Sequence, residues 1–374
     1  MTKKRVLFVI TEDWALISHR LHLAEAAIRL GYEVAVVTRV TKYRDMLEAS
    51  GLKVFHWRLE RRSLDPISEI ISIFHLWKIL KFFEPDIIHA VAQKPVIYAG
   101  LVMKFSKKAK FVAALGGVGF IFTGKNIKAN LLKPIVKSCL RFVLRDPASK
   151  LILQNADNVQ TIVDLSIVDK NRITLIKGAG VEIRKFQPSL IPKGPPMVIL
   201  PARMLWDKGV AEFVRVAGRI KARGIEAHFV LVGDVDIHNP ASISQKQVDQ
   251  WVQQGAVEHW NRRDDMDQIY QQASIVCLPS YNEGLPKVLL EAASCARPTV
   301  AFNVPGCREI VRNGTNGFLV SFGDEVALEK AIVTLISDRS LCAKMGAKGR
   351  EIVEQAFSSE IINAQTFAIW SEAQ

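Results

Sequence analysis

The chain has 374 residues, beyond the roughly 250 to 300 at which one hydrophobic core stops growing, so two domains are expected. With 49% apolar and 23% charged residues it is no low-complexity or disordered protein, and five cysteines without C-x-x-C spacing exclude a disulfide scaffold and favour a reducing, cytosolic compartment. The net charge of +13 is lopsided: residues 1–187 carry 31 Lys and Arg against 16 Asp and Glu, the remainder 19 against 21, so the first half is expected to face something anionic.

Lys3, Lys4 and Arg5 open like a signal peptide, but the apolar run Val6 to Ile10 is too short for one and stops at Glu12 and Asp13. It reads as a buried strand. No apolar stretch reaches the ~18 residues of a spanning helix, so no transmembrane segment is expected. Helical and strand patterns then alternate: a helix over Ser18–Leu30, a strand over Glu33–Thr38, a helix over Tyr43–Ser50, a strand over Asp86–Ala90, a helix over Pro95–Lys104 and a strand over Phe111–Leu115. This rhythm predicts βαβ units, and strands such as Val34–Val37, apolar without alternation, predict helices on both sheet faces. His89, alone at the end of its strand, reads as a core residue.

Between Lys125 and Lys150 the cations Lys125, Lys128, Lys133, Lys137, Arg141, Arg145 and Lys150 recur every three to five residues among Leu131, Leu132, Ile135, Val136, Leu140, Phe142, Val143 and Leu144. That composition predicts a basic amphipathic helix lying on an anionic membrane surface, aided by Ile70–Phe83 with Trp77, Lys78, Lys81 and Phe82. A core-facing helix with a solvated polar face is the competing reading. Nucleic-acid binding, which a pI near 9.5 invites, has no readable motif here and is not expected.

Pro188, Pro192, Gly194, Pro195 and Pro196 crowd a stretch without periodicity, which places a linker over Phe186–Met197. The rhythm restarts with strands at Val198–Leu200, His228–Val232, Ile275–Leu278 and Thr299–Phe302. Helices are predicted over Val210–Arg223, Asp264–Ala273, from Pro286, over Asp324–Ser337 and over Leu341–Val353. The expected architecture is α/β, two doubly wound Rossmann-like domains facing across a cleft: residues 1–187, residues 188–357, and a terminal helix over 358–374 packing back on the first domain. Ligands of such sheets bind beyond the carboxyl ends of the strands, so chemistry is sought at strand-to-helix turns.

Three turns qualify. Pro279–Glu291 reads Pro-Ser-Tyr-Asn-Glu-Gly-Leu-Pro-Lys-Val-Leu-Leu-Glu, a strand exit, a glycine turn and a helix start, where backbone N–H groups and the helix dipole suit a diphosphate. Glu283 and Glu291 bracket that helix start and can reach the hydroxyls of a sugar and a ribose; the simpler reading is a capping Glu283 and a solvated Glu291. Pro201–Gly209 carries Arg203, a planar fork for phosphate oxygens, and Lys208, a point charge; both also fit a plain cationic surface. Lys177–Glu182 places Gly178 and Gly180 where positive φ or close approach to a ligand is possible, as it is in any boundary turn. Asp234 and Asp236, with His238 and Asn239, do not complete a hard-cation site and read as a loop.

These residues together resemble the retaining GT-B glycosyltransferases of family 4, in order and over essentially the whole chain. The resemblance implies an enzyme that moves a hexose or N-acetylhexosamine from a nucleotide diphosphate donor, with a UDP-sugar favoured, to a lipid-linked or polysaccharide acceptor with retention of configuration. It implies that Glu283 lies by the donor sugar, Glu291 contacts the ribose, Arg203 and Lys208 grip the diphosphate, the backbone of Gly284 and Leu285 touches phosphate or sugar, and the stretch Trp260–Arg263, Arg262 included, cradles the base. The Gly180 turn joins the donor side. Neither cofactor nor metal is expected, because fixed cations replace one.

The string from Leu278 to Glu291 with Pro305–Glu309 behind it is most similar to bacterial members that build surface polysaccharides or lipid-linked oligosaccharides, although Asn282 and Asn261 replace residues common there. A polyprenyl-diphosphate-linked acceptor and a peripheral place on the inner face of the cell membrane follow from that likeness and the basic half. The first domain departs further, with Thr11-Glu12-Asp13-Trp14 instead of a Gly-Gly turn and Gly116-Gly117-Val118-Gly119 instead of a His. His19, Arg20 and that glycine loop are its candidates for the reacting centre. A nucleotide-sugar epimerase of the same fold and a non-catalytic membrane scaffold are the rival readings.

Overall fold

A computed structural model describes residues 3–60, 63, 65–104, 109–116, 127–237 and 239–372, with side chains from 132 onward in the helix that begins at 127. The chain divides into two compact units, Met1–Ala179 with Ser359–Gln374, and Gly180–Ser358.

The first unit is built on seven strands, β1 (Arg5–Glu12), β2 (Glu33–Arg39), β3 (Lys53–His56), β4 (Ile87–Val91), β5 (Lys110–Leu115), β6 (Lys150–Leu153) and β7 (Ile173–Leu175). They form one sheet in the order β3-β2-β1-β4-β5-β6-β7, and every pairing is parallel. The register sets Val6 beside both Val34 and Ile87. Successive side chains of a strand point to opposite faces, so Leu7, Val9, Ala35 and Val37 enter one apolar core and Val6, Phe8, Val34 and Val36 the other. Both faces are covered by α1 (Asp13–His19), α2 (Leu21–Arg29), α3 (Arg44–Ala49), α4 (Pro66–Phe83), α5 (Gln93–Met103), α6 (Ile127–Val143) and α7 (Ala156–Asp164). The helix expected over Ser18–Leu30 is two helices, because Arg20 leaves helical geometry at φ −139° and turns inward.

The basic stretch forms α6, and one side of it packs into the fold. Leu140, Val143 and Leu144 are buried against the sheet, and Arg141 donates to the carbonyls of Leu165 and Ser166, so these residues serve the fold. Ile135 and Phe142 stay exposed. Lys125 and the side chains of Lys128 and Leu131 lie outside the described residues, as do Gly117, Val118, Gly119 and His238. Among the described residues, no helix is long and apolar enough to cross a membrane.

The second unit repeats the plan with β8 (Met197–Pro201), α8 (Val210–Ala222), β9 (His228–Val232), α9 (Gln245–Gln253), β10 (Glu258–Trp260), α10 (Met266–Gln272), β11 (Ile275–Leu278), α11 (Lys287–Ser294), β12 (Thr299–Phe302), α12 (Pro305–Arg308), β13 (Gly317–Val320), α13 (Glu325–Ser337) and α14 (Arg339–Ala356). Its six parallel strands run β10-β9-β8-β11-β12-β13. Helix α9 has no counterpart among the predicted elements; Val248 is its one buried residue, and its start rests on Ser244 Oγ accepting from the Gln247 N–H. The proline-rich stretch is not a free tether. Arg297, fully buried, donates to the carbonyls of Ser189, Leu190, Tyr270 and Gln271, and Arg350 to those of Ile183, Phe186 and Ser294. These fans of charged donors fasten residues 183–190 to the second unit, which is why the division falls at Gly180, before the prolines.

The last helix, α15 (Ser359–Ser371), belongs to the first unit. Ile362, Ile369 and Trp370 are buried in the core that holds Phe8, His22 Nδ1 meets Asn363 Oδ1 at 2.9 Å, and Trp370 Nε1 donates to His89 Nδ1 at 3.2 Å.

Candidate active site

In the second unit the strand order reverses between β8 and β11, and the loops leaving those strands carry the charged residues. Such a reversal opens a crevice beyond the strand ends, because the following helices depart to opposite faces. Here the two loops are locked together by backbone. Tyr281 N–H donates to the Asp207 carbonyl at 2.9 Å, and Ser280 Oγ to the same carbonyl at 3.2 Å. Gly209 sits at φ +71°, where a Cβ would lie 2.0 Å from the Pro279 carbonyl oxygen, so only glycine allows this approach.

That lock brings Lys208 and Glu283 together. Lys208 Nζ donates to Glu283 Oε1 at 2.6 Å, with only 20% and 13% of the side chains exposed. Pro286 caps α11 without any side-chain hydrogen bond, so Glu283 is not the helix cap that its position allows. A Cβ on Gly306 would lie 2.6 Å from the Glu283 carbonyl and 2.7 Å from that of Gly284, so the start of α12 presses directly on the glycine turn and holds it from behind. Leu285 is half-buried against the core of the unit.

Arg203 lies on the same β8 loop but in a different pair: its guanidinium donates to Asp236 Oδ2 at 2.7 Å and is about half exposed, at 46%. Asp234, two residues earlier, accepts from the Arg262 N–H at 2.8 Å, while its own carbonyl accepts from Met204 N–H at 3.0 Å. The Asp-x-Asp string read as a plain loop therefore positions both Arg203 and the backbone of Arg262. Arg262 itself reaches Asp264 at 3.6 Å and stays exposed.

Glu291 is buried rather than solvated. Tyr270 donates its hydroxyl to Glu291 Oε2 at 3.0 Å, and Lys287 Nζ stands 3.4 Å from Oε1. Burial first, and then the Glu291 charge, push the Tyr270 phenol well above its ordinary range, so it remains a donor. Tyr281 likewise donates to Glu212 Oε1 at 2.9 Å, its hydroxyl pushed up by burial and by that carboxylate. Neither tyrosine stood out in the sequence; a tyrosine on the turn itself was the only available signal. Gly178 and Gly180 both take positive φ, 72° and 77°, in the turn that leads into the second unit.

In the first unit the corresponding reversal lies between β1 and β4. Asp13 at the end of β1 is buried, and its carboxylate accepts from Thr41 N–H, Thr41 Oγ1, Tyr43 N–H and Trp14 N–H. Burial alone would raise its pKa, but these donors outweigh it and hold the carboxyl below the usual range. Arg20 is buried, its Nε without a partner, and it donates to the His19 carbonyl at 3.0 Å; burial lowers it to about 10. His19 itself ends α1, half-buried. His89 is sealed in the core, its pKa lowered to about 3 by burial and by Arg20. Among the described residues, no three His, Cys, Asp or Glu side chains converge as a metal ion would require.

Residues 181–352 match the family model for glycosyl transferases group 1, and residues 5–155 the model for glycosyl transferase 4-like domains. The chain is 30% identical over 322 residues, 83% of each chain, to the N,N'-diacetylbacillosaminyl-diphospho-undecaprenol alpha-1,3-N-acetylgalactosaminyltransferase of Campylobacter jejuni. It is 26% identical over 294 residues, 75% of this chain and 74% of the relative, to the UDP-Gal:alpha-D-GlcNAc-diphosphoundecaprenol alpha-1,3-galactosyltransferase of Escherichia coli. Among solved structures, a glycosyltransferase from Rickettsia africae superposes with a TM-score of 0.81 at 20% identity, covering 100% of this chain and 99% of that one. Anabaena HepE in complex with UDP and glucose does so at 0.80 and 19%, covering 98% and 99%. Taken with the two parallel sheets and the charged loops at the β8–β11 reversal, these likenesses establish that the chain belongs to the family 4, group 1 glycosyltransferases of the GT-B fold.

Proposed function

We propose that the enzyme transfers a hexose or N-acetylhexosamine from a UDP-sugar to a polyprenyl-diphosphate-linked saccharide, retaining the anomeric configuration. The observation that carries this reading is the Lys208–Glu283 pair held between two locked loops at the strand reversal. A diphosphate leaving group develops negative charge as the glycosidic bond breaks, and a preorganised cation stabilises that charge without reorganising at the moment of reaction. Lys208 and Arg203 supply it, with Glu283 and Asp236 holding each in place beforehand. Glu283 lies where a sugar hydroxyl would donate to its second oxygen. Glu291, oriented by Tyr270, takes the ribose hydroxyls; the N–H groups of Gly284 and Leu285 take phosphate or sugar oxygens, and the backbone near Arg262 takes the base. The Gly180 turn borders the donor. Fixed cations replace a metal, and attack on the face the diphosphate leaves accounts for retention without a second carboxylate.

The Escherichia coli relative's name gives UDP-Gal as donor, HepE binds UDP, and the names of both bacterial relatives specify diphospho-undecaprenol acceptors, which supports the choice of donor and acceptor. The excess cations of residues 1–187 support a peripheral place on the anionic inner face of the cell membrane. The test is transfer from a panel of UDP-sugars to a polyprenyl-diphosphate-linked saccharide in EDTA, with the product anomer read by NMR. Retained product without added metal is expected; an inverted anomer, or a strict requirement for Mg²⁺ or Mn²⁺, overturns the reading.

A further inference from the structure

In the first unit, the carboxyl ends of β2 and β3 and the first turns of α4 enclose a cavity of about 380 Å³ whose lining includes Arg39, His56, Arg58, Glu60, Glu69 and Ile71. Among the described residues neither the Arg39 nor the Arg58 guanidinium meets a carboxylate. Glu69 is already neutralised, since Lys94 Nζ donates to its Oε1 at 2.7 Å while also holding the carbonyls of Glu60 and Ser63. With Glu60 the one lining carboxylate left over among the described residues, the wall has a positive excess. His75 of α4 senses the same field: burial first, then Arg58, His56 and Lys78, lower its pKa below the usual histidine range.

Ile71 belongs both to this cavity and to an uncovered apolar stripe on α4. Ile67 is 69% exposed, Ile70 66%, Phe74 52% and Phe82 78%, at the three- and four-residue spacing of one helix face. Lys78 stands 4.7 Å over the Phe74 ring and Lys81 5.3 Å over that of Trp77, so the stripe is edged by cations. A ligand that fits both parts has an anionic head that two arginine forks can grip and an apolar tail joined directly to it. A free phosphate would leave the stripe unused, and a neutral lipid would leave the guanidiniums unpaired.

We propose that this cavity and the α4 stripe bind the lipid carrier of the acceptor, its diphosphate between Arg39 and Arg58 and its first isoprene units on Ile67, Ile70 and Phe74. The proposal rests on the lipid-linked acceptor reading above for the identity of the carrier, but the binding itself is testable apart from any transfer. Calorimetric titration of the full chain with farnesyl diphosphate, inorganic pyrophosphate and farnesol separates head from tail. Farnesyl diphosphate should bind at least tenfold more tightly than either part. Arg39→Ala with Arg58→Ala should weaken it tenfold or more, while Arg58→Lys, which keeps the charge but loses the fork, falls between. Ile70→Ser with Phe74→Ser should abolish its advantage over pyrophosphate. Thermal unfolding of each variant checks that the fold survives.

Equal affinity for farnesyl diphosphate and pyrophosphate overturns the proposal, as does indifference to the arginine variants. So does displacement by phosphatidylglycerol vesicles at matched phosphate, which would make the surface a headgroup site. If the wild type binds in the expected pattern yet transfers sugar to no lipid-linked acceptor, the functional reading falls and the site stands. If sugar is transferred but farnesyl diphosphate binding is blind to these variants, the site falls and the functional reading stands.

Discussion

Both units thread their first six strands in the same order, reversing between the first and fourth, and both place side chains just beyond that reversal. In the first unit those side chains are absorbed by the fold: Asp13 is saturated by four donors, Arg20 is turned inward and His89 is sealed under Trp370. In the second unit they form cation–carboxylate pairs between loops, Lys208 with Glu283 and Arg203 with Asp236. An identical topology therefore provides a position, and the chemistry of the residues at its rim decides whether that position stabilises the unit or works on a ligand. Mutation should separate the two rims by what is lost, stability in one case and turnover in the other.

The largest effect is expected from Trp370→Ala. The ring is 3% exposed, touches Phe8, Tyr32, His89 and Phe367, and its loss opens a cavity worth about 3–5 kcal/mol. Denaturant unfolding followed by tryptophan fluorescence should show that loss in the first unit, with UDP affinity at permissive temperature little changed. On the other rim, Lys208→Ala and Glu283→Gln should each lower turnover by on the order of 10² to 10³ while the melting temperature moves by only a few degrees. Turnover within a few-fold of wild type in both would erase the distinction between the rims.

Acid sensitivity sharpens the comparison. The folded pKa of His89 is depressed to about 3 from 6.5, so as pH falls the unfolded chain takes the proton first. The stability gained by keeping this ring neutral is full above pH 6.5 and is lost progressively toward pH 3, on the order of 2 kcal/mol by pH 5. His89→Gln, an uncharged acceptor for Trp370, should flatten the first unit's unfolding free energy between pH 7 and 5; an unchanged slope would place the sensitivity elsewhere. The smallest effect belongs to the solvated ion pairs between α8 and α13. Arg223→Ala, which removes an exposed partner of Glu329, should change stability by no more than about 0.5 kcal/mol in a denaturant series.

Much of the fold was legible because its signals are local. Unalternating strands such as Val34–Val37 announce a sheet covered on both faces, and β9, β11 and β12 occupy the residues their patterns predict. The loops of the candidate site were legible for the same reason, each a strand exit followed by a glycine and a helix. Helix α9 was missed although Val248, Trp251 and Val252 keep helical spacing behind a Ser244 cap, because nine mostly polar residues between two loops read as more loop.

Sequence by itself determined the fold class, the two-unit plan and the loops on which the charges sit, since each depends on residues within a few positions of one another. Only the tertiary structure decided the partners: Lys208 meets Glu283 and Arg203 meets Asp236 because strand order brings their loops side by side, and Tyr270 meets Glu291 because α10 packs beside α11. It also decided how each amphipathic helix is turned: α4 buries Leu76, Ile79 and Phe83 and leaves Ile67, Ile70 and Phe74 exposed, while α6 buries Leu140 and Val143 and leaves Ile135 and Phe142 exposed. A helix can bury only one side against a sheet, and which side that is depends on neighbours that the local pattern does not contain.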